Sequence, residues 1–192
     1  MSSEGQLIYR CLRGDPAACG ELVSCYQGIV YRLCRRLLGC PHDAEDVTQE
    51  VFLRVFRSLH RWDGRRPFRP WLVGIAVNRC RTWLRRRVHQ PQLADFLAER
   101  ADPRPQDETR ELQTVLQQTL SRLRAEYRQV FLLFHEQGQT YEQIALTLQR
   151  PVGTIKTWLH RARLEVLDYL RASGLVDTNT PAHGMLPAEG QP

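Results

Sequence analysis

Apolar side chains recur at three- and four-residue intervals along this chain, the spacing that gathers them on one face of a helix. The pattern is sharpest between Thr140 and Leu170. Thr140 followed by Gln143 is a capping-box signal, and Tyr141, Ile144, Ala145 and Leu148 then make one apolar face. Gln149, Arg150 and Pro151 interrupt that helix, and a second row, Ile155, Leu159, Ala162, Val166 and Leu170, keeps the helical period for four turns. Two short helices joined by a tight turn are predicted, a helix-turn-helix.

Upstream, a short N-terminal helix is followed by Asp15-Pro16, an N-cap with proline at the first helical position. The row Leu22, Cys25, Ile29, Leu33 and Leu37 then runs to a stop at Gly39. Pro41 to Leu59 collects Ala44, Val47, Val51, Phe52, Val55, Phe56 and Leu59 on one side, leaving Asp46, Gln49, Glu50, Leu53, Arg54 and Arg57 outward. From about Pro70 to Arg87, Leu72, Ala76, Cys80, Trp83 and Leu84 share an inner side, opposite Trp71, Gly74, Asn78, Arg81 and Arg85.

Charge marks the divisions between these helices. Residues 61–90 carry nine arginines against one acid, whereas residues 91–113 hold six acids, three arginines and the prolines 91, 103 and 105. The expected architecture is all-α, with two small helical domains at residues 5–88 and 109–172, a flexible linker at 89–108 and a disordered tail at 173–192. The 192 residues carry a net charge of +6 and a pI near 9.3, which favours a nucleic-acid partner. Lys156 is the sole lysine. No apolar run approaches a membrane span and the N-terminus lacks an export signal, so a cytoplasmic protein is expected. Six cysteines never form Cys-x-x-Cys, and Cys40-Pro-His42 has no further ligands at zinc-finger spacing. Most read as small buried hydrophobes, a redox role for one pair has no support in the sequence, and neither a metal nor a cofactor is expected.

Three faces carry candidate chemistry. Opposite its apolar row, the second helix of the helix-turn-helix presents Lys156, Thr157 and His160, flanked by Arg161 and Arg163. Polar side chains for base edges beside cations for phosphates are what a major-groove reader needs, although a solvated face of a basic bundle would look similar. The loop Arg61-Trp62-Asp63-Gly64-Arg65-Arg66-Pro67-Phe68 interleaves cations with aromatics, and Trp71, Asn78, Arg81 and Arg85 continue along the following helix. Charge plus stacking platforms is the combination that binds single strands, while each aromatic taken alone suits core packing equally well. Finally, Leu53 ringed by Asp46, Gln49 and Glu50 is either a protein-docking face or a plain solvated one.

Three segments together resemble a known family. They are Asp43-Ala-Glu-Asp-Val-Thr-Gln-Glu-Val-Phe-Leu-Arg-Val-Phe56; Trp62-Asp-Gly64 with Phe68-Arg-Pro-Trp-Leu-Val-Gly-Ile-Ala-Val-Asn-Arg79 and Arg85-Arg-Arg87; and Pro151-Val-Gly-Thr-Ile-Lys156 with Leu159-His-Arg-Ala-Arg163. In this order they resemble the bacterial sigma-70 superfamily, most closely its small extracytoplasmic-function (ECF, group 4) branch. The resemblance implies that Asp46, Gln49, Glu50 and Leu53 dock on the clamp of the largest catalytic subunit of core RNA polymerase, with the flap of the second subunit as a further contact. It implies that Arg61, Trp62, Arg65, Arg66, Phe68, Trp71, Asn78, Arg81 and Arg85 capture the melted non-template strand at the minus-ten element. For the minus-35 duplex it implies Thr154, Lys156, Thr157, His160, Arg161 and Arg163. Small members of the family are commonly held inactive by an anti-sigma protein, so such a partner is expected here. Two positions depart from the family: Pro70, where many relatives have Ala or Thr, and Trp158, where Arg is common. Trp158 sits at the border of the apolar row and the DNA face, so the minus-35 preference of other members does not transfer.

The expected function is therefore a transcription initiation factor without catalytic chemistry of its own. A stand-alone helix-turn-helix regulator is the alternative, although no long heptad helix for a symmetric dimer is present. A DNA-processing enzyme would need a nucleophile with companions, and neither Ser24 nor any tyrosine has them.

Overall fold

The computed structural model describes residues 3–88 and 108–173, and among these the ordered elements are all helical. The expected linker and tail lie outside the described residues, apart from their first or last positions. Helices α1 (Ser3–Leu12), α2 (Pro16–Leu38), α3 (Pro41–Ser58) and α4 (Phe68–Val88) form one compact unit, with a 3-10 turn at Leu59–Arg61 between the last two. Helices α5 (Glu108–Arg122), α6 (Ala125–His135) and α8 (Val152–Ala172), with most of α7 (Tyr141–Leu148), form a second.

In the first unit the ends of α2 are set by local chemistry. The Asp15 carboxylate accepts hydrogen bonds from the Ala17 and Ala18 amides at 2.9 and 3.2 Å, and Pro16 occupies the first turn, where a missing N–H costs nothing. Gly39 closes the helix at a φ of 83°, a left-handed conformation that a side chain would strain. Arg10 donates to Asp15 at 2.9 Å, tying α1 to the cap of α2. The Ala18 amide first, then Arg10, holds the Asp15 carboxyl below its usual range.

Helix α2 packs against α1, α3 and α4. That arrangement shifts the expected core row. Cys25 is exposed and Ile29 half-buried, while Val30 and Cys34 join Leu22, Leu33 and Leu37 in full burial. A helix of 23 residues with three neighbours turns different arcs to each, so its buried stripe is not one straight row. Helix α4 behaves likewise. Between α2 and α3 it buries Val73 and Val77 as well as the expected Leu72, Ala76 and Cys80, whereas Trp83 and Leu84 remain half-buried.

The second unit realises the capping box. The Thr140 amide donates to the Gln143 side chain at 3.0 Å and the Gln143 amide donates to the Thr140 hydroxyl at 3.3 Å. After α7, Gln149 takes a φ of 54°, which turns the chain sharply into Pro151 and α8. Ile144 and Leu148 of α7 are buried, as are Ile155, Leu159 and Ala162 of α8, which packs on α6. Arg128 reaches back to the Ser121 and Leu123 carbonyls at 2.7 and 3.1 Å and so closes the open end of α5.

One buried group is poorly served. Gln139, just before α7, is 3% exposed, and neither atom of its side-chain amide has a hydrogen-bond partner. An orphaned buried polar group costs about 1–3 kcal/mol. Gln139→Met, which keeps the length and removes the amide, is expected to raise the thermal unfolding midpoint. A lower midpoint in calorimetry would mean that ordered water satisfies the amide.

Candidate nucleic-acid and docking interfaces

The loop before α4 is a built turn. Asp63 accepts hydrogen bonds from the Arg65 amide through its carboxylate at 3.0 Å and from the Arg66 amide through its carbonyl at 2.9 Å. The Arg61, Arg65 and Arg66 side chains are exposed around it. Phe68, expected as a stacking platform, is instead 1% exposed. Its ring lies 5.3 Å from Tyr26, 5.6 Å from Trp62 and 5.6 Å from Trp71 between centroids. It is the floor of an aromatic cluster and cannot stack on a base. The two tryptophans above it stay half-buried and keep surface for that role, and the indole N–H of Trp62 has no hydrogen-bond partner. Tyr26 of the same cluster donates to Glu4, which ties α1 to it.

Further along α4, Asn78 and Arg85 are exposed and Arg81 is half-buried, on the side away from Leu72, Ala76 and Cys80. The Arg85 Nε donates to the Arg81 carbonyl at 3.4 Å. Pro70 falls within the first turn of the helix, where its ring is tolerated.

On α3, Asp46, Gln49, Glu50 and Leu53 are all exposed, and Leu53 leaves 58% of its surface to solvent. Glu50 has a partner that the sequence reading did not provide. Arg79 of α4, whose side chain is only 17% exposed, donates to the Glu50 carboxylate through Nε at 2.6 Å and also through Nη2. A second pair, Arg87 to Asp43 at 2.9 Å, joins the same helices, and the Arg87 guanidinium also lies 5.0 Å from the Trp83 ring. As the α3 partner advances from 43 to 50, the α4 partner recedes from 87 to 79, so the helices run antiparallel and are pinned at two levels. Sequence periodicity contains no signal for such pairs; the only hint was that acids on α3 and arginines on α4 are of opposite sign.

In the second unit, Lys156, Thr157, His160 and Arg161 of α8 are exposed, and Thr154, Trp158 and Arg163 are half-buried. The Lys156 ammonium lies 5.5 Å from the Tyr141 ring centre, and the Thr157 hydroxyl donates to the Gly153 carbonyl at 3.0 Å. The two arginines are steered by the scaffold. Arg161 donates to the Tyr127 hydroxyl at 3.2 Å, an interaction that raises its already high pKa. Arg163 donates to His135 Nε2 at 3.3 Å and lies over the Phe134 ring at 5.1 Å, so it is turned toward α6.

His135 accepts from Arg163 only while neutral. Burial of the imidazole first, and the Arg163 charge second, hold its pKa below the ordinary 6.5. With a folded-state pKa below the unfolded one, the unfolded chain binds more protons in that interval, and stability falls as pH falls through the ordinary histidine value. Denaturant melts of the chain are therefore expected to show a loss of stability of the second unit on acidification below that point. His135→Gln is expected to flatten the dependence there; an equally steep profile in the variant would assign it to other groups.

One unit with a helix-turn-helix of basic outer face, and another with an arginine- and tryptophan-lined helix, make the build of a DNA-handling transcription protein. Comparison with known proteins narrows the class. The family model for Sigma-70 region 2 matches residues 22–90, and that for Sigma-70, region 4 matches residues 113–166. The ECF RNA polymerase sigma factor SigW of Bacillus subtilis is 31% identical over 177 residues, covering 85% of this chain and 95% of that protein. The RNA polymerase sigma-H factor of Pseudomonas aeruginosa is 32% identical over 176 residues, covering 85% of this chain and 91% of that protein. Among solved structures, CnrH in complex with the cytosolic domain of CnrY superposes with a TM-score of 0.65 at 26% identity, over 89% of this chain and 99% of that one. The Bartonella quintana sigma factor RpoE, in complex with the anti-sigma factor NepR, shares the fold with a TM-score of 0.69 at 23% identity, over 79% of this chain and 96% of that one.

The chain belongs to the sigma-70 family as an ECF RNA polymerase sigma factor. It binds core RNA polymerase, directs promoter-specific initiation and has no enzymatic activity of its own; the stand-alone regulator is not favoured. No helix among the described residues is long and apolar enough to cross a membrane, and no group of acidic, cysteine or histidine residues among them could hold a metal ion.

Proposed function

We propose that three separate surfaces divide the work of initiation in the cytoplasm. The outer face of α3, Asp46, Gln49, Glu50 and Leu53, docks on the clamp of the largest polymerase subunit. The loop at residues 61–67 with Trp62, Trp71, Asn78, Arg81 and Arg85 captures the melted minus-ten strand, with Phe68 supporting the tryptophans from below. Helix α8 reads the minus-35 duplex through Thr154, Lys156, Thr157, His160, Arg161 and Arg163, in a domain at 109–172 that also meets the flap of the second subunit. The domain at 5–88 carries the other two surfaces, and the segment at 89–108 links them, with the tail from 173 outside both.

The observation that carries this reading is the exposure of Leu53, a large apolar side chain 58% open to water on a face of acids and amides. An apolar anchor within a polar rim suits a protein partner and not a phosphate backbone. The same surface suits an anti-sigma protein, the partner with which the RpoE relative was solved. Such a partner covering Leu53 would block polymerase by occupying its site.

The duplex-reading assignment is tested at Lys156. Counterion release gives each phosphate contact a share of about 0.9 in the slope of log affinity against log salt. With holoenzyme and a promoter fragment, Lys156→Ala is expected to make that slope shallower by about this amount; an unchanged slope would remove Lys156 from the phosphate contacts.

A further inference from the structure

Three helices of the first unit each contribute one polar group to the same point in an otherwise apolar core. Cys34 of α2 and Cys80 of α4 are both 0% exposed, with sulfurs 3.6 Å apart and the Cys80 thiol donating to the Cys34 sulfur. The buried Thr48 hydroxyl of α3 has no hydrogen-bond partner and lies near Cys34. The Cys80 donor favours the Cys34 thiolate and holds that thiol below the usual range, and Cys80, whose proton is engaged, is pushed up. Of the remaining cysteines, Cys25 is exposed, and Cys11 is pushed up to about 12 by burial and by its neighbour Cys19.

We propose that Cys34 and Cys80 form a dithiol site for reversible oxidation by hydroperoxides, and that the resulting disulfide lowers promoter opening by displacing α4. The Cys34 thiolate attacks one peroxide oxygen; a sulfur–oxygen bond forms, the oxygen–oxygen bond breaks, and the leaving hydroxide takes the proton from Cys80. The Cys80 thiolate then attacks the Cys34 sulfenic sulfur, forming the sulfur–sulfur bond and breaking the sulfur–oxygen bond; the expelled hydroxide takes from solvent the proton that Cys34 gave up on ionising and leaves as a second water. Two electrons pass from the thiols to the peroxide, and a dithiol reductant returns them. Access to the buried pair comes through local opening of the helices.

The mechanical consequence follows from distance. A disulfide bond is about 2.05 Å long, so sulfurs now 3.6 Å apart must close by about 1.5 Å. Cys80 lies between Arg79, which is pinned to Glu50, and Arg81, with Asn78 one further residue back. Drawing Cys80 toward α2 moves the surface proposed above to hold the melted strand. That part of the inference rests on the strand-capture reading; the chemistry of the pair does not.

The full chain, with Cys11, Cys19, Cys25 and Cys40 changed to serine, is treated with hydrogen peroxide and then reduced. The expected result is loss of the mass of two hydrogens, a Cys34–Cys80 cross-linked peptide, and a fall of about tenfold in run-off transcription with core polymerase, the equivalent of about 1.4 kcal/mol. All three changes reverse with dithiothreitol. In the unaltered chain the same cross-link is expected, which covers the case that the serine background folds poorly. Cys80→Ala is expected to keep its transcription after peroxide. No cross-link at peroxide doses that oxidise Cys25 in the unaltered chain would overturn the proposal, whatever α4 does. A quantitative cross-link with undiminished transcription would overturn the switch while leaving the assignment of the strand-binding face to its own test at Asn78.

Discussion

Leu53→Glu is expected to abolish productive binding to core RNA polymerase while leaving the fold intact. The side chain is 58% exposed on α3, so exchanging it removes little core packing, and glutamate is a good helix former. On the polymerase side the loss is large. A central apolar anchor is worth about 2 kcal/mol or more when truncated, roughly 30-fold in Kd, and a carboxylate left in the same desolvated pocket adds a further penalty. Helical content and melting temperature near those of the unaltered chain, with loss of polymerase retention in size-exclusion chromatography, is the expected pair of results. Retention at unaltered affinity would move the docking face elsewhere.

Asn78→Ala carries the second large effect. Asn78 is exposed on α4, on the side away from the core, so alanine at this place favours the helix. Its amide offers both a donor and an acceptor to a splayed base, and extruding a base costs a few kcal/mol that such contacts must offset. Losing about 1 kcal/mol of that compensation slows open-complex formation several-fold. Polymerase binding is expected to remain unaltered, because Asn78 lies outside the face around Leu53. Potassium permanganate footprinting of the melted region, beside an affinity measurement with core enzyme, separates the two steps. Equal loss in both would mean that Asn78 holds the helix and not the strand.

These two predictions differ in how directly the sequence supports them. Whatever depends on neighbours along the chain was legible. The Thr140 and Gln143 capping box, the Asp15-Pro16 start and the Gly39 stop all form as expected, because each is a contact between residues a few positions apart. The buried rows of α3 and α8 were also correct, apart from the half-burial of Phe56 and Leu170. Each of those helices turns one dominant face to the core.

What depends on the meeting of distant segments was not legible. The Glu50–Arg79 and Asp43–Arg87 pairs join residues 29 and 44 apart, and no periodicity announces them. Phe68 is ambiguous in the sequence for a related reason. Its chemistry suits a base stack and a core equally, and only the positions of Tyr26, Trp62 and Trp71 around it show that it is buried. The Cys34–Cys80 contact likewise links helices that the sequence could not bring together. Within α8, the exposed positions followed the helical period, but the turn of Arg163 toward His135 required α6 to be in place.

The central claim is that this chain gives core RNA polymerase its promoter choice. It is tested most directly by run-off transcription from a pool of genomic promoters, with core polymerase in the presence and absence of the purified chain. Transcripts from defined start sites only when both are present, lost with Leu53→Glu, are the expected result. Start sites unaffected by the chain, together with tight duplex binding by the chain alone, would contradict the account and restore the conventional helix-turn-helix regulator.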